Sequence, residues 1–113
     1  METESIRQQK IARQIRIDMA EIFQREGKPC TLGALLTVSG VSVSPDFSYA
    51  KIYISVYPFD KAEAVIREVK DKSWFLRREL GRRVKNQLKV VPELQFFIDD
   101  SMEYIRNIEE KLK

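Results

Sequence analysis

Seven basic residues crowd into the stretch KSWFLRRELGRRVKNQLK. Lys72, Arg77, Arg78, Arg82, Arg83, Lys85 and Lys89 stand there against the single acid Glu79, in a chain whose whole formal charge is only +3. The remainder is therefore slightly acidic. Lys and Arg contact phosphates through charge-assisted hydrogen bonds and release the counterions condensed on a nucleic acid, so a cluster this dense is a candidate phosphate surface. Read as one helix, the stretch puts Leu76, Leu80, Val84 and Leu88 on one face and Arg78, Arg82, Lys85 and Lys89 on the opposite one. The plainer alternative is a solvated helix face. Trp74, next to this stripe, is either a stacking surface for a base or an anchor at the edge of the core.

Other chemistries are poorly supplied. The chain has no histidine, which removes the commonest general base and every Ser-His or Cys-His nucleophilic pair. Cys30 is the single cysteine, so neither an intrachain disulfide nor a Cys/His zinc site is expected, and no cofactor is. The acidic pair Asp99 and Asp100 falls at an expected strand-to-helix junction, where Asp100 or Ser101 serves as a helix cap. Glycines occur singly at Gly27, Gly33, Gly40 and Gly81, which is not a phosphate-cradling loop. An enzyme is not expected.

The cationic stripe needs elements to hold it. With 113 residues, 43% hydrophobic and 33% charged, the chain is expected to form one domain around one core. No apolar run reaches bilayer-spanning length, and METESIRQQK has neither the apolar centre nor the cleavage pattern of a secretory signal. A cytoplasmic location, with no membrane partner, is the expectation.

In order, Ile11, Ile15, Met19, Ile22 and Phe23 mark a first helix from about Thr3 to Glu26, stopped by Gly27-Lys28-Pro29. Its first half carries Arg7, Lys10 and Arg13, which either add to anion binding or form an ordinary soluble face. Leu35 to Ser44 reads as a strand, with Gly40 marking a bulge or a close backbone approach. Ser44-Pro45-Asp46 turns the chain. Tyr49 to Tyr57 alternates cleanly, Ala50, Ile52, Ile54 and Val56 against Lys51, Tyr53, Ser55 and Tyr57, so the two strands form an antiparallel hairpin with one covered face. A short helix from about Lys61 to Asp71 precedes the basic one, with Lys72-Ser73-Trp74 as a kink or loop between them. Val91-Pro92 stops the second helix. Leu94, Phe96 and Ile98 form a third strand, and Met102, Ile105, Ile108 and Leu112 a last helix. The order α-β-β-α-α-β-α makes the second and third strands parallel and the fold α+β, a three-stranded sheet covered on one face by helices.

That order resembles the type II KH arrangement, and particular strings narrow the likeness. TVSGVSVSPDFSYAKIYISV, FLRRELGRRV and VPELQFFIDDS resemble, in the right order and over nearly the whole chain, three motifs of the ribosome-binding factor A family. The resemblance implies a non-enzymatic assembly factor that binds the immature small ribosomal subunit and its rRNA near the neck. It further implies a role in late maturation and rRNA processing, importance for growth in the cold, and ribosomal proteins and an assembly GTPase as further partners of a monomer. Family members carry an Ala-x-Gly kink between the central helices, where this chain has Lys72-Ser73-Trp74, and the segment from Gly81 to Pro92 is about two residues longer here.

A reading of another class is a protein-interaction module that docks through the hairpin edge and an acidic C-terminal helix. Six acids against three bases between Glu93 and Lys113 would suit a basic partner.

Overall fold

The central strand organises the molecule. Along β2 (Tyr49–Tyr57), Ala50, Ile52, Ile54 and Val56 are buried while Tyr49, Lys51 and Tyr57 are exposed, so the period-two pattern gives the sheet one apolar face. The structure, a computed structural model, describes residues 4–26 and 31–101. β1 (Leu35–Val43) pairs antiparallel with one edge of β2, and β3 (Glu93–Ile98) pairs parallel with the other. A parallel partner requires a crossover, and α2 (Ala62–Asp71) and α3 (Ser73–Val84) supply it after a 3₁₀ turn at Phe59–Lys61. With α1 (Ile6–Glu26) they cover the apolar face: Ile15, Met19 and Ile22, Val65 and Val69, and Leu76, Leu80 and Val84 enclose Ile52 and Ile54. The fold is the expected α+β one, in the expected order. The last helix, expected on Met102, Ile105, Ile108 and Leu112, lies outside the described residues.

Local chemistry sets the boundaries. Ser5 and Gln8 form a reciprocal capping box at the start of α1, the Gln8 N–H donating to Ser5 Oγ (3.0 Å) and the Ser5 N–H to Gln8 Oε1 (2.9 Å). The buried Gln8 amide also donates to the Val43 carbonyl (3.1 Å), tying the helix start to the end of β1. In the hairpin, Val38 faces Ile54 and Gly40 faces Tyr53, so Ser39 is the extra residue of a bulge. Of the two alternatives expected at Gly40 the structure has the bulge, and a Cβ there would lie 4.0 Å from Tyr53 Cδ2, an ordinary contact.

One boundary departs from expectation. The basic helix ends at Val84 instead of continuing to Lys89, and one last hydrogen-bonded turn follows it, in which the N–H groups of Gln87 and Leu88 share the Val84 carbonyl (2.8 and 3.0 Å). Leu88 is buried as expected, one turn beyond Val84 and on the same side of the chain. Arg77 fixes the return, donating from Nε to the Pro92 carbonyl (3.1 Å) and from Nη2 to the Val91 carbonyl (2.7 Å), and Pro92 holds Val91 out of the helical region. The helix that Asp100 or Ser101 is expected to cap lies outside the described residues, and at the far end of β3 the described bonds go to Asp99. Asp99 Oδ1 accepts the Ser101 N–H (3.0 Å) and hydroxyl (2.6 Å), an Asx-type turn two residues long.

Leu80→Ala, which empties a fully buried site between α3 and the sheet, should lower stability by about 2 to 5 kcal/mol in denaturant melts. Gly40→Ala should shift the same curve by about half a kcal/mol or less, since the added methyl meets only van der Waals contact.

Candidate nucleic-acid interface

With Leu76, Leu80 and Val84 turned to the core, the opposite side of α3 faces outward. At about 100° per residue, Trp74, Arg78, Arg82 and Lys85 fall within an arc of roughly 80° on that side. The turn after the helix adds Lys89 and raises Lys85 to Val90 as a crest with a cleft on each flank. One cleft is lined by Trp74, Arg78, Gly81, Arg82, Val90 and Val91. Across the crest, Arg7 of α1 joins Asp46, Phe47, Asn86 and Leu88. Lys85 and Lys89 line both clefts.

Each flank holds a guanidinium against an aromatic ring. Arg78 Cζ lies 5.6 Å from the Trp74 ring centre and 5.7 Å from that of Phe75, and the two rings meet edge to face at 6.1 Å. Trp74 is nonetheless 66% exposed, so it is no core anchor. Arg7 Cζ lies 4.7 Å over Phe47, whose backbone sits in the left-handed region at φ 61°. The Asp46 carboxylate holds this loop: one oxygen accepts the Ser48 hydroxyl (2.6 Å), the Ser44 hydroxyl (2.8 Å) and the Ser48 N–H (3.1 Å). These bonds, the Ser48 hydroxyl first, hold the Asp46 carboxyl down to about 2.

The remaining cations of the stretch are engaged in the frame. Arg83 turns inward to α1, bonding Glu21 and lying 3.7 Å from Asp18, a buried acid that also accepts from the Gln14 amide at 3.2 Å. The Arg83 bond pulls the Glu21 carboxyl below its ordinary range and pushes the Arg83 guanidinium above its own. Arg77 clamps the return segment and, still exposed, also lines the first cleft. Lys72 Nζ donates to Glu68 Oε2 (3.1 Å) at the single-residue kink that separates α2 from α3. Arg82 reaches Glu79 at 3.3 Å but stays exposed. Lys10 and Arg13 are exposed on α1 and line neither cleft.

Sequence reasoning missed Phe47 and Val90. No spacing marks either, because both reach the crest through turns. Of the tyrosines on the second face of β2, Tyr53 stacks on Phe97 at 5.5 Å and Tyr57 is exposed at the strand end; among the described residues no helix covers either. Among the described residues no cluster of acidic or thiol side chains could hold a metal ion, and no helix is long and apolar enough to cross a membrane.

Fold and site together define a small α+β domain whose helical side carries a cationic crest bordered by aromatic rings. The family model described as ribosome-binding factor A matches residues 7–112. Ribosome-binding factor A of Cytophaga hutchinsonii is 36% identical over 96% of this chain and 82% of its own length, and that of Christiangramia forsetii 38% identical over 97% and 85%. The crystal structure of the Thermus thermophilus factor superposes with a TM-score of 0.70 at 26% identity, covering 80% of this chain and 94% of that one. A Thermus thermophilus homology model fitted into a cryo-EM map of a 30S complex gives 0.62 at 27%, covering 79% and 91%. The chain belongs to the ribosome-binding factor A family.

The neighbouring arginines should separate cleanly in melts. Arg83→Ala strands the buried Asp18 carboxylate and should cost about 1 to 3 kcal/mol, whereas Arg82→Ala should stay within about half a kcal/mol. The Asp46 loop has its own pH signature. A carboxyl whose folded pKa is depressed contributes stability above its unfolded value of about 3.9 and loses it as pH falls through the folded value. Exchange protection of the Ser48 amide should therefore hold down to about pH 4 and disappear toward pH 2, and Asp46→Asn should weaken it at neutral pH.

Proposed function

We propose that this protein is a non-enzymatic assembly factor that binds the immature small ribosomal subunit through its rRNA, with the cationic crest as the contact. The observation that carries the reading is convergence. Arg78 and Arg82 from α3, Lys85 and Lys89 from the turn and Arg7 from α1 share one surface, Arg77 lines it while holding the Val91 and Pro92 carbonyls, and Arg83 is spent on the frame. Such a surface, with no geometry suited to a base code, follows backbone shape and charge. Lys10 and Arg13 add attraction at longer range, and Lys72 sets the kink.

Family membership and the related factor fitted into a 30S map support the small subunit as the target. On the family resemblance rest the neck of the subunit as the site, late maturation and rRNA processing as the step, a role in the cold, and the cytoplasm as the compartment. Ribosomal proteins and an assembly GTPase complete the partners of a monomer. The protein-interaction alternative depends on a C-terminal helix outside the described residues, and no described contact favours it.

Reversing Arg78, Lys85 and Lys89 to Glu alters exposed residues, so circular dichroism and melting should stay near the parent. Co-sedimentation with free small subunits should be lost. For the parent, log affinity for rRNA against log salt should have a slope of roughly −3 to −4, as expected for about four or five neutralised phosphates. A folded reversal variant that still sediments with small subunits would remove the crest as the contact.

A further inference from the structure

We infer that the cleft between Trp74 and Val90 is a stacking slot for one unpaired base, so that the crest selects RNA with an exposed nucleotide over uninterrupted duplex. The inference rests on the crest being the rRNA contact, and it names what that contact prefers.

Four features of the slot support it. Trp74, 66% exposed, offers a flat ring at one end, and Arg78 lies against it at 5.6 Å, restricting its rotation. Val90, 71% exposed, forms the opposite wall, an apolar side chain held out from the core on the crest turn. Gly81 forms the floor. Its missing side chain matters, because a Cβ there would come within 3.0 Å of Val91 Cγ2, so the bare backbone lets the return segment lie close against α3 and leaves the slot open. The rim is cationic, with Arg78, Arg82, Lys85 and Lys89 and no acidic residue among those lining it. An apolar slot with a ring at one end and cations at the rim matches a nucleobase joined to its phosphates, whereas a duplex offers phosphates but keeps its bases stacked inside.

The other flank lacks this combination. Its ring, Phe47, is already covered by Arg7 at 4.7 Å, and the Asp46 carboxylate on its wall repels phosphate.

Trp74 is the single tryptophan of the chain, so its emission reports the slot directly. The test compares three RNA probes of equal length on the full-length protein: a single-stranded oligoadenylate, a blunt duplex, and an abasic strand that keeps the phosphates without bases. The single strand should quench Trp74 emission and bind at least about tenfold tighter than the abasic strand. Trp74→Ala should weaken single-strand binding by about 5- to 100-fold and leave abasic and duplex binding unchanged, while Trp74→Phe should retain most of the preference. Because Trp74 is exposed, melting of both variants should match the parent, which separates lost stacking from lost fold. Equal binding of the three probes, unquenched emission at saturation, or a Trp74→Ala loss shared by the abasic strand would overturn the slot. Retained binding of every probe by the Arg78, Lys85 and Lys89 reversal would instead overturn the crest itself.

Discussion

Everything else in the structure follows from the one-sided burial of β2. Its alternating side chains put Ala50, Ile52, Ile54 and Val56 on a single face, so all three described helices must lie on that side to remove it from water. Burial of Leu, Ile and Val side chains at about 1.5 to 3 kcal/mol each makes this the dominant favourable contribution. It also sets the orientation of α3. Once Leu76, Leu80 and Val84 are committed to the core, Trp74, Arg78, Arg82 and Lys85 have only solvent to face.

Charge is then divided by neighbours more than by residue type. Arg82 and Arg83 are adjacent and chemically identical, yet a rotation of about 100° sends one to solvent and the other to Glu21 and Asp18 on α1. Arg77 and Arg78 divide in the same way, one onto the Val91 and Pro92 carbonyls and the other onto an aromatic pair. Arg83 and Arg77 hold α1 and the return segment against α3, while Arg78 and Arg82 stay exposed, Arg82 beside Glu79. A stable frame and a cationic surface thus come from one helix.

The turn between α3 and β3 decides the shape of that surface. The helix ends at Val84, one further turn buries Leu88 beside it, and the segment from Lys85 to Val90 stands between the two clefts. Arg7 then meets the crest from a distant part of the chain. The result is two flanks with different chemistry, one open and free of lining acids, the other closed by the Arg7 and Phe47 pair and edged by Asp46.

Periodicity alone determined the elements, because burial acts on every second residue of β2 and on every third or fourth of each helix, and both rhythms are written in the residue order. The hairpin, its bulge beside Gly40, the parallel third strand and the two faces of α3 were all legible for that reason. Local pattern said nothing of contacts between residues far apart in the chain. That Arg83 meets Glu21 and Asp18, that Arg7 joins Lys85 and Lys89, and that Phe47 and Val90 border the site depend on how α1, the hairpin turn and the return segment pack together. The number of basic residues was therefore a property of the sequence, while the choice of which are compensated was made by tertiary packing, since the Arg83 charge is balanced by the carboxylates of Glu21 and Asp18.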